Sequence, residues 1–590
     1  MTTRARLVSK MFHAVLFGLA AASVSVSATG IAMAQIVTTP RGVFPAATYQ
    51  GVAASGITSF LGIRYAAAPV GVLRFAPPTP PAAVSGTISA TAFGSPCPQP
   101  PSPFGTASTD EDCLFLNIYV PGSSVSSRNR LPVMLFYHGG AFVEGEGSDY
   151  DPTQMAIQGN AIVVTTNYRL GILGYVAAAA LSAESGNGVS GNYGLEDQQF
   201  ALQWVNQNIS AFGGDPHNVT IFGESAGGFS VCANIVSPAA SGLFQRAITE
   251  SGPCATPLPT LAGAEAQGAV IVSALGCNES TSAATVACLR SLSVASILSE
   301  EDSIAAAANL ASLAAFFPNV DGVVIPQQPV LALALGQYNH VPIIEGTNHN
   351  EGALFVALGF DLNPARGPLT TAEYPQAILS LADALVSETA GLISGSDSSN
   401  LTSTQQQQAQ TIANEIVNQY PLGNFDNNPG TALSAVLTDS LFSCTKNISD
   451  EVFSLSVPTF GYEFNDANAP MVFLPPVSFP YGATHTDELQ FLFTIGGQPS
   501  ELSSSEQTLA TTMKGYWTNF AQNGNPNSFG SPLWLSFSIA APNDQSLVAP
   551  TPMNEDNFAT AHNCNFWTGI LLETILEAGA DQLQADGIVP

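Results

Sequence analysis

The residues best placed to do chemistry are Phe222-Gly223-Glu224-Ser225-Ala226-Gly227, a G-x-S-x-G pattern between an apolar strand-like run and a helical stretch, Ala226–Val236. A serine on a tight strand-to-helix turn has its hydroxyl held out at the sheet top. The residues two positions either side must be glycine, because side chains there would collide. Such a serine can attack a carbonyl carbon. With 52 glycines in the chain, chance supplies about 0.4 such patterns, so the placement carries more weight than the pattern.

Attack on a carbonyl makes two further demands. The developing oxyanion needs backbone N–H donors, and His138-Gly139-Gly140-Ala141-Phe142 is a glycine-rich turn of that kind after an earlier apolar run. The hydroxyl also needs a base steadied by a carboxylate, in the chain order Ser, acid, His. His349, His485 and His562 follow the serine in suitable surroundings.

The elements that must hold these groups are legible as runs that end in turns. Pro132–Tyr137, Ala161–Thr166, Asn218–Phe222, Arg246–Glu250 and Val341–Glu345 read as strands, the last running into a Gly346-Thr347-Asn348 turn. Glu196–Phe212 carries apolar residues at 201, 204, 205, 209 and 212, the spacing of one helix face. Strands alternating with helices predict an α/β fold with a mainly parallel sheet covered on both faces. Gln405–Gln408 reads as surface within a helical region, and Pro77–Pro103 and Asp361–Pro368 as loops.

The chain has 590 residues and a formal net charge of -30. That surface repels phosphate backbones and anionic lipid, which excludes nucleic acid as a partner. The amino terminus has the order of a secretory signal peptide: basic Arg4, Arg6 and Lys10, apolar Met11–Ala22, and the A-x-A site Ala32-Met33-Ala34. Cleavage after Ala34 leaves residues 35–590 and removes three bases, taking the charge from -30 to -33. No later run is long enough to span a bilayer, so stable membrane insertion is not expected. Ile304–Phe317 is alanine-rich and broken by Asn309 and Ser312. An even eight cysteines suits an oxidising compartment, whether outside the cell or in a periplasm. There is no C-x-x-C pair, so zinc knuckles have no support. Sequons such as Asn278, Asn400 and Asn447 are open to sugar.

Two longer segments resemble the type-B carboxylesterase family, which includes cholinesterases and bacterial p-nitrobenzyl-type esterases. They are Phe212-Gly213-Gly214-Asp215-Pro216-His217-Asn218-Val219-Thr220-Ile221-Phe222-Gly223-Glu224-Ser225-Ala226-Gly227 and Glu111-Asp112-Cys113-Leu114-Phe115-Leu116-Asn117-Ile118-Tyr119-Val120-Pro121. Weaker matches run from Arg64-Tyr65 through Asn167-Tyr168-Arg169-Leu170-Gly171 to Cys564-Asn565-Phe566-Trp567. The resemblance implies one α/β-hydrolase domain with helical insertions over 35–590. It implies Ser225 as nucleophile, Glu351 as acid and His485 as base, with the N–H groups of Gly140, Ala141 and Ala226 as oxyanion donors. His349 and His562 then become alternatives to the base, and His217 a loop residue. The resemblance also implies ion pairs Arg64–Glu111 and Arg169–Asp197, and disulfides Cys97–Cys113, Cys277–Cys288 and Cys444–Cys564. Cys232 and Cys254 have no family partner; they can pair or remain buried thiols.

The implied function is a secreted serine carboxylesterase acting on small-molecule esters through an acyl-enzyme, with no metal or organic cofactor. An interfacial lipase and a non-catalytic binding protein of the same fold are the alternatives. Cholinesterases hold a cation on a tryptophan in the first disulfide loop, whereas Pro98 to Asp112 here contains only Phe104 among large aromatics. An ungapped match puts Ser312 and Ala314 where cholinesterases have acyl-pocket phenylalanines.

Overall fold

The computed structural model describes residues 33–307, 316–394, 401–498 and 501–585. Strands Ile162–Thr166, Leu131–Tyr137, Gly214–Glu224, Arg246–Glu250, Ile343–Asn348, Thr459–Phe464 and Asp544–Leu547 pair in that order, all parallel. Antiparallel strands extend one edge through Phe115–Pro121, Ile57–Arg64, Thr48–Ala54 and Met33–Thr38, and the other through Met553–Glu555.

Every residue of Leu131–Tyr137 and Ile343–Asn348 is buried, as a strand covered on both faces requires. Alternate residues supply different cores. Val133, Leu135 and Tyr137 pack with Trp204 and Val205 of helix Tyr193–Asn208 on one face. Met134 and Phe136 pack with Met513 and Trp517 of helix Ser504–Asn523 on the other. A third core lies among the helices inserted between strands Ile343–Asn348 and Thr459–Phe464, joined by the C-terminal helix Cys564–Ala585. These are the expected helical insertions.

All five strand expectations hold in position, and three strands run longer. The strand at Val341–Glu345 is Ile343–Asn348 and continues through the supposed turn. Gly346 lies against a ring, since a Cβ there would come 2.1 Å from Tyr462. The glycine permits close packing within the strand. The helix at Glu196–Phe212 begins a turn earlier, at Tyr193, and its last residues, Ile209–Phe212, tighten into a 3-10 turn. Gln405 is buried as the capping-box partner of Thr402, so only its neighbours in the glutamine run fit the surface reading.

Four disulfides form: Cys97–Cys113, Cys232–Cys254, Cys277–Cys288 and Cys444–Cys564. The pair left open by the sequence is thus joined, tying the helix after Ser225 to the loop after strand Arg246–Glu250. Arg169 pairs with Asp197 as expected, both buried, with Nε to Oδ2 at 2.7 Å. The expected Arg64–Glu111 pair is a correction. Arg64 pairs with Asp112 at a half-exposed site, and Glu111 pairs with the buried Arg74, Nη2 to Oε2 at 2.5 Å. The chain turns tightly here, Cys113 N–H donating to the Glu111 carbonyl at 2.9 Å, and the two acids serve different arginines. Arg74 claims the inner one because its Nη1 also donates to the carbonyls of Leu289, Arg290 and Leu292.

The signal-peptide expectation falls almost wholly on residues 1–32, outside the described residues, although Met33 and Ala34 begin the edge strand. Part of Ile304–Phe317 and the sequon at Asn400 lie outside them too. Asn278 is exposed, but Asn447 is buried and its amide donates to Glu451, which closes that sequon to sugar. Among the described residues no single helix is long and apolar enough to cross a membrane.

Candidate active site

The candidate residues gather at the C-terminal ends of the parallel strands. Ser225 ends strand Gly214–Glu224 and caps helix Ala226–Val236 with φ 56° and ψ -122°, a backbone that L residues adopt only under constraint. The constraint comes from its flanking glycines. A Cβ on Gly223 would lie 2.6 Å from the Gly227 backbone, and one on Gly227 would lie 1.9 Å from the Tyr137 carbonyl oxygen. The Ser225 N–H donates to the Glu250 carbonyl at 2.9 Å, tying the turn to the next strand.

The glycine-rich turn after strand Leu131–Tyr137 lies directly alongside. A Cβ on Gly139 would stand 3.2 Å from Ser225 Cβ. Gly140, Ala141 and Phe142 all have positive φ, which turns the chain sharply. Among the described residues, the N–H groups of Gly140, Ala141 and Ala226 have no hydrogen-bond partner. Ala141 holds φ 50° without being glycine, at a cost of about 1–2 kcal/mol. His138 is buried, stacked on Tyr168 at 4.3 Å, and burial lowers its pKa to about 4, so it is neutral.

Glu351 and His485 come from two loops stitched together. Asn350 N–H donates to the Ala483 carbonyl at 2.9 Å, and Ala483 N–H donates back to Asn350 Oδ1 at 3.1 Å. Asn348 N–H donates to Glu351 Oε1 at 2.7 Å, which leaves Oε2 to meet His485 Nδ1 at 2.5 Å. A carboxylate at Nδ1 places the ring proton there and leaves Nε2 with its lone pair. Nε2 is buried without a hydrogen-bond partner, 3.2 Å from Glu224 Oε1. Phe355 and Phe442 flank the ring at 4.9 and 5.3 Å.

His349 and His562, the alternative bases, meet elsewhere, on Glu463. His217 is exposed, though in a strand instead of the expected loop. What the sequence missed is a set of buried acids around Ser225. Burial, then Glu488, Glu351 and Glu250, push the Glu224 carboxyl well above its ordinary range. Burial likewise raises Glu250 to about 8, while Trp517 Nε1 donates to it at 3.0 Å. Glu224 and Glu488 sit one residue before Ser225 and three after His485, so their nearness was readable, but their burial was not.

Glu250 and two buried acids elsewhere, Glu196 and Glu301, make stability depend on pH in a definite direction. Burial raises Glu250 and Glu301 to about 8 and Glu196 to about 7, against the ordinary 4.5 they regain on unfolding. The folded chain therefore binds more protons between those values. This contribution to stability is complete below about pH 4.5 and is lost as pH rises toward 8. The urea midpoint is expected to fall from pH 5 to pH 8.5, and a rise across that window would contradict the burial of these groups.

A parallel sheet with a serine on a strained strand-to-helix turn, free amides beside it and a Glu–His pair above defines an α/β-hydrolase, and the chain belongs to the carboxylesterase family, whose profile matches residues 34–567. It is a serine hydrolase acting on carboxylic ester bonds. It is 33% identical over 541 residues to human cocaine esterase, covering 89% of each chain. It is 34% identical over 508 residues to the para-nitrobenzyl esterase of Bacillus subtilis strain 168, covering 84% of this chain and 91% of that one. A solved thermophilic PNB esterase superposes with a TM-score of 0.70 at 32% identity, over 89% of this chain and 98% of that one.

Proposed function

We propose that the enzyme hydrolyses small carboxylic esters through an acyl-enzyme on Ser225. The supporting observation is His485 Nδ1 at 2.5 Å from Glu351, with Nε2 left open beside the Ser225 turn. His485 takes the hydroxyl proton as Ser225 Oγ attacks the carbonyl carbon. Glu351 holds the tautomer and stabilises the imidazolium. The amides of Gly140, Ala141 and Ala226 receive the oxyanion. His485 then protonates the departing alcohol, and water repeats the cycle on the acyl-enzyme. Residues 35–590 act as one α/β-hydrolase domain in this reading, and the ester and water are the only reactants the steps call for.

Selectivity follows from the surfaces around the site. The loop closed by Cys97–Cys113 offers Phe104 and no tryptophan. Phe104, Tyr150, Phe473 and Phe493 line a cavity of about 290 Å³ beside it. Ser312 and Ala314 lie outside the described residues. Phe317, a few positions on, packs at 5.2 Å against Phe142 of the glycine-rich turn and at 5.1 Å against Phe229. Aromatic ester groups suit such walls, consistent with a relative named for para-nitrobenzyl esters. The enzyme is expected to favour p-nitrophenyl acetate, butyrate and benzoate over acetylthiocholine in kcat/KM. A preference for the choline ester would overturn this selectivity.

Export accompanies the proposal, on the leader-like residues 1–34 and four disulfides. The mature protein is expected to begin at Gln35 and to gain eight alkylation sites only after reduction. An intact mass that includes Met11–Ala22 would refute the cleavage.

A further inference from the structure

Behind the loop that carries Glu351 lies a second cluster that ester hydrolysis does not use. His349 directly follows strand Ile343–Asn348, Glu463 belongs to the neighbouring strand Thr459–Phe464, and His562 precedes the Cys444–Cys564 crosslink. Glu463 Oε1 meets His349 Nδ1 at 2.7 Å and His562 Nε2 at 2.6 Å. The three donor atoms lie within 4.8 Å of one another.

Each donor is held from behind. His562 Nδ1 stands 2.6 Å from Asp439 Oδ1, and Asp439 Oδ2 accepts from Tyr420 Oη at 2.6 Å and Asn563 Nδ2 at 3.2 Å. Glu463 Oε2 accepts from Asn465 Nδ2 at 2.9 Å. His349 N–H donates to the Phe464 carbonyl at 3.0 Å, which fixes its backbone to the neighbouring strand. Two imidazoles and a carboxylate, with an outer carboxylate orienting one ring, form a donor set suited to a divalent transition metal.

Further acids adjoin the cluster. Glu555 lies against Glu463, with its Oε1 buried and unpartnered, and Asp544 Oδ2 is in the same state. Lys446, which also acts on Glu555, is already shared between Asp450 and Asp544. An access path exists because the His349 side chain is 48% exposed, whereas Glu463 and His562 are buried.

We propose that His349, Glu463 and His562 bind one divalent transition-metal ion of the zinc class, with Asp439 as the outer partner of His562. Ligands about 2.0–2.2 Å from a tetrahedral ion stand roughly 3.3 Å apart. The ion therefore enters as the protons between these donors leave to solvent, and each histidine nitrogen draws back about 0.6–0.7 Å from Glu463 Oε1, the exposed His349 moving most. Water fills the fourth position. The ion takes no part in ester chemistry; it braces the strand end two residues before Glu351.

The test titrates chelator-treated, full-length mature enzyme with Zn²⁺ and with Co²⁺. Expected are about one equivalent bound, visible Co²⁺ d–d bands of a four-coordinate site, and a higher Tm. His349→Ala, at an exposed position, is expected to fold and to bind at least ~100-fold more weakly. His562→Gln is expected to do the same, and if it fails to fold, His349→Ala decides alone. Ser225→Ala is expected to bind like wild type, which separates this site from the esterase reading. Less than about a tenth of an equivalent at excess Zn²⁺ would show that protons alone hold the cluster, and unchanged binding by His349→Ala would place the ion elsewhere. Either result overturns the proposal.

Discussion

Ser225→Ala is expected to lower ester turnover by roughly 10⁴–10⁶-fold while the unfolding midpoint stays within about 0.5 kcal/mol of wild type. Alanine removes only the Oγ proposed to form the acyl bond, and the residue is partly exposed, so packing changes little. His485→Ala is expected to cost about as much, because without Nε2 nothing accepts the Ser225 proton. Glu351→Gln is expected to cost about 10³–10⁴-fold by presenting its amide to Nδ1 and favouring the wrong tautomer. The losses should not add in double variants, since the three groups act in one step. Near-normal turnover by a well-folded Ser225→Ala protein, measured with p-nitrophenyl acetate, would end the assignment.

Gly227→Ala is expected to lower turnover by about 10²-fold and to destabilise the fold, though no reacting atom is removed. The new Cβ would lie 1.9 Å from the Tyr137 carbonyl oxygen, and backbone must move to admit it. Tyr137 leads straight into the turn that supplies Gly140 and Ala141, so the movement displaces the proposed nucleophile and oxyanion amides together. A shift near 1 Å at a reacting centre costs about 10²-fold, and overpacking adds about 1–3 kcal/mol of instability. Gly186→Ala is the control. It has nothing within 4 Å, and its turnover and midpoint should stay near wild type. A Gly227→Ala enzyme with wild-type kcat/KM and midpoint would contradict the strained-turn account.

The part of the fold that positions chemistry was legible because it is local. Strand Arg246–Glu250 and helix Ala226–Val236 have the bounds read from their residues, and the glycines around Ser225 are needed by the turn itself. Features that depend on partners distant in sequence were less legible. Gly346 reads as a turn until Tyr462 of the next strand is seen against it. Two arginines and two adjacent acids allow two pairings, and burial of Arg74 under the carbonyls of residues 289–292 decides between them. The acids around Ser225 were visible as letters, but their protonation follows from burial, which no local pattern carries. The meeting of His349, Glu463 and His562 likewise joins Glu463 to histidines 114 and 99 positions away.

The central claim is that Ser225 is the nucleophile, and covalent capture tests it most directly. Mature enzyme inactivated with a fluorophosphonate and mapped by peptide mass spectrometry should carry one adduct, on Ser225. Activity should fall in proportion to labelling, and Ser225→Ala should take up none. Full inactivation with the adduct on another residue, or complete labelling of Ser225 with turnover unchanged, would contradict the account.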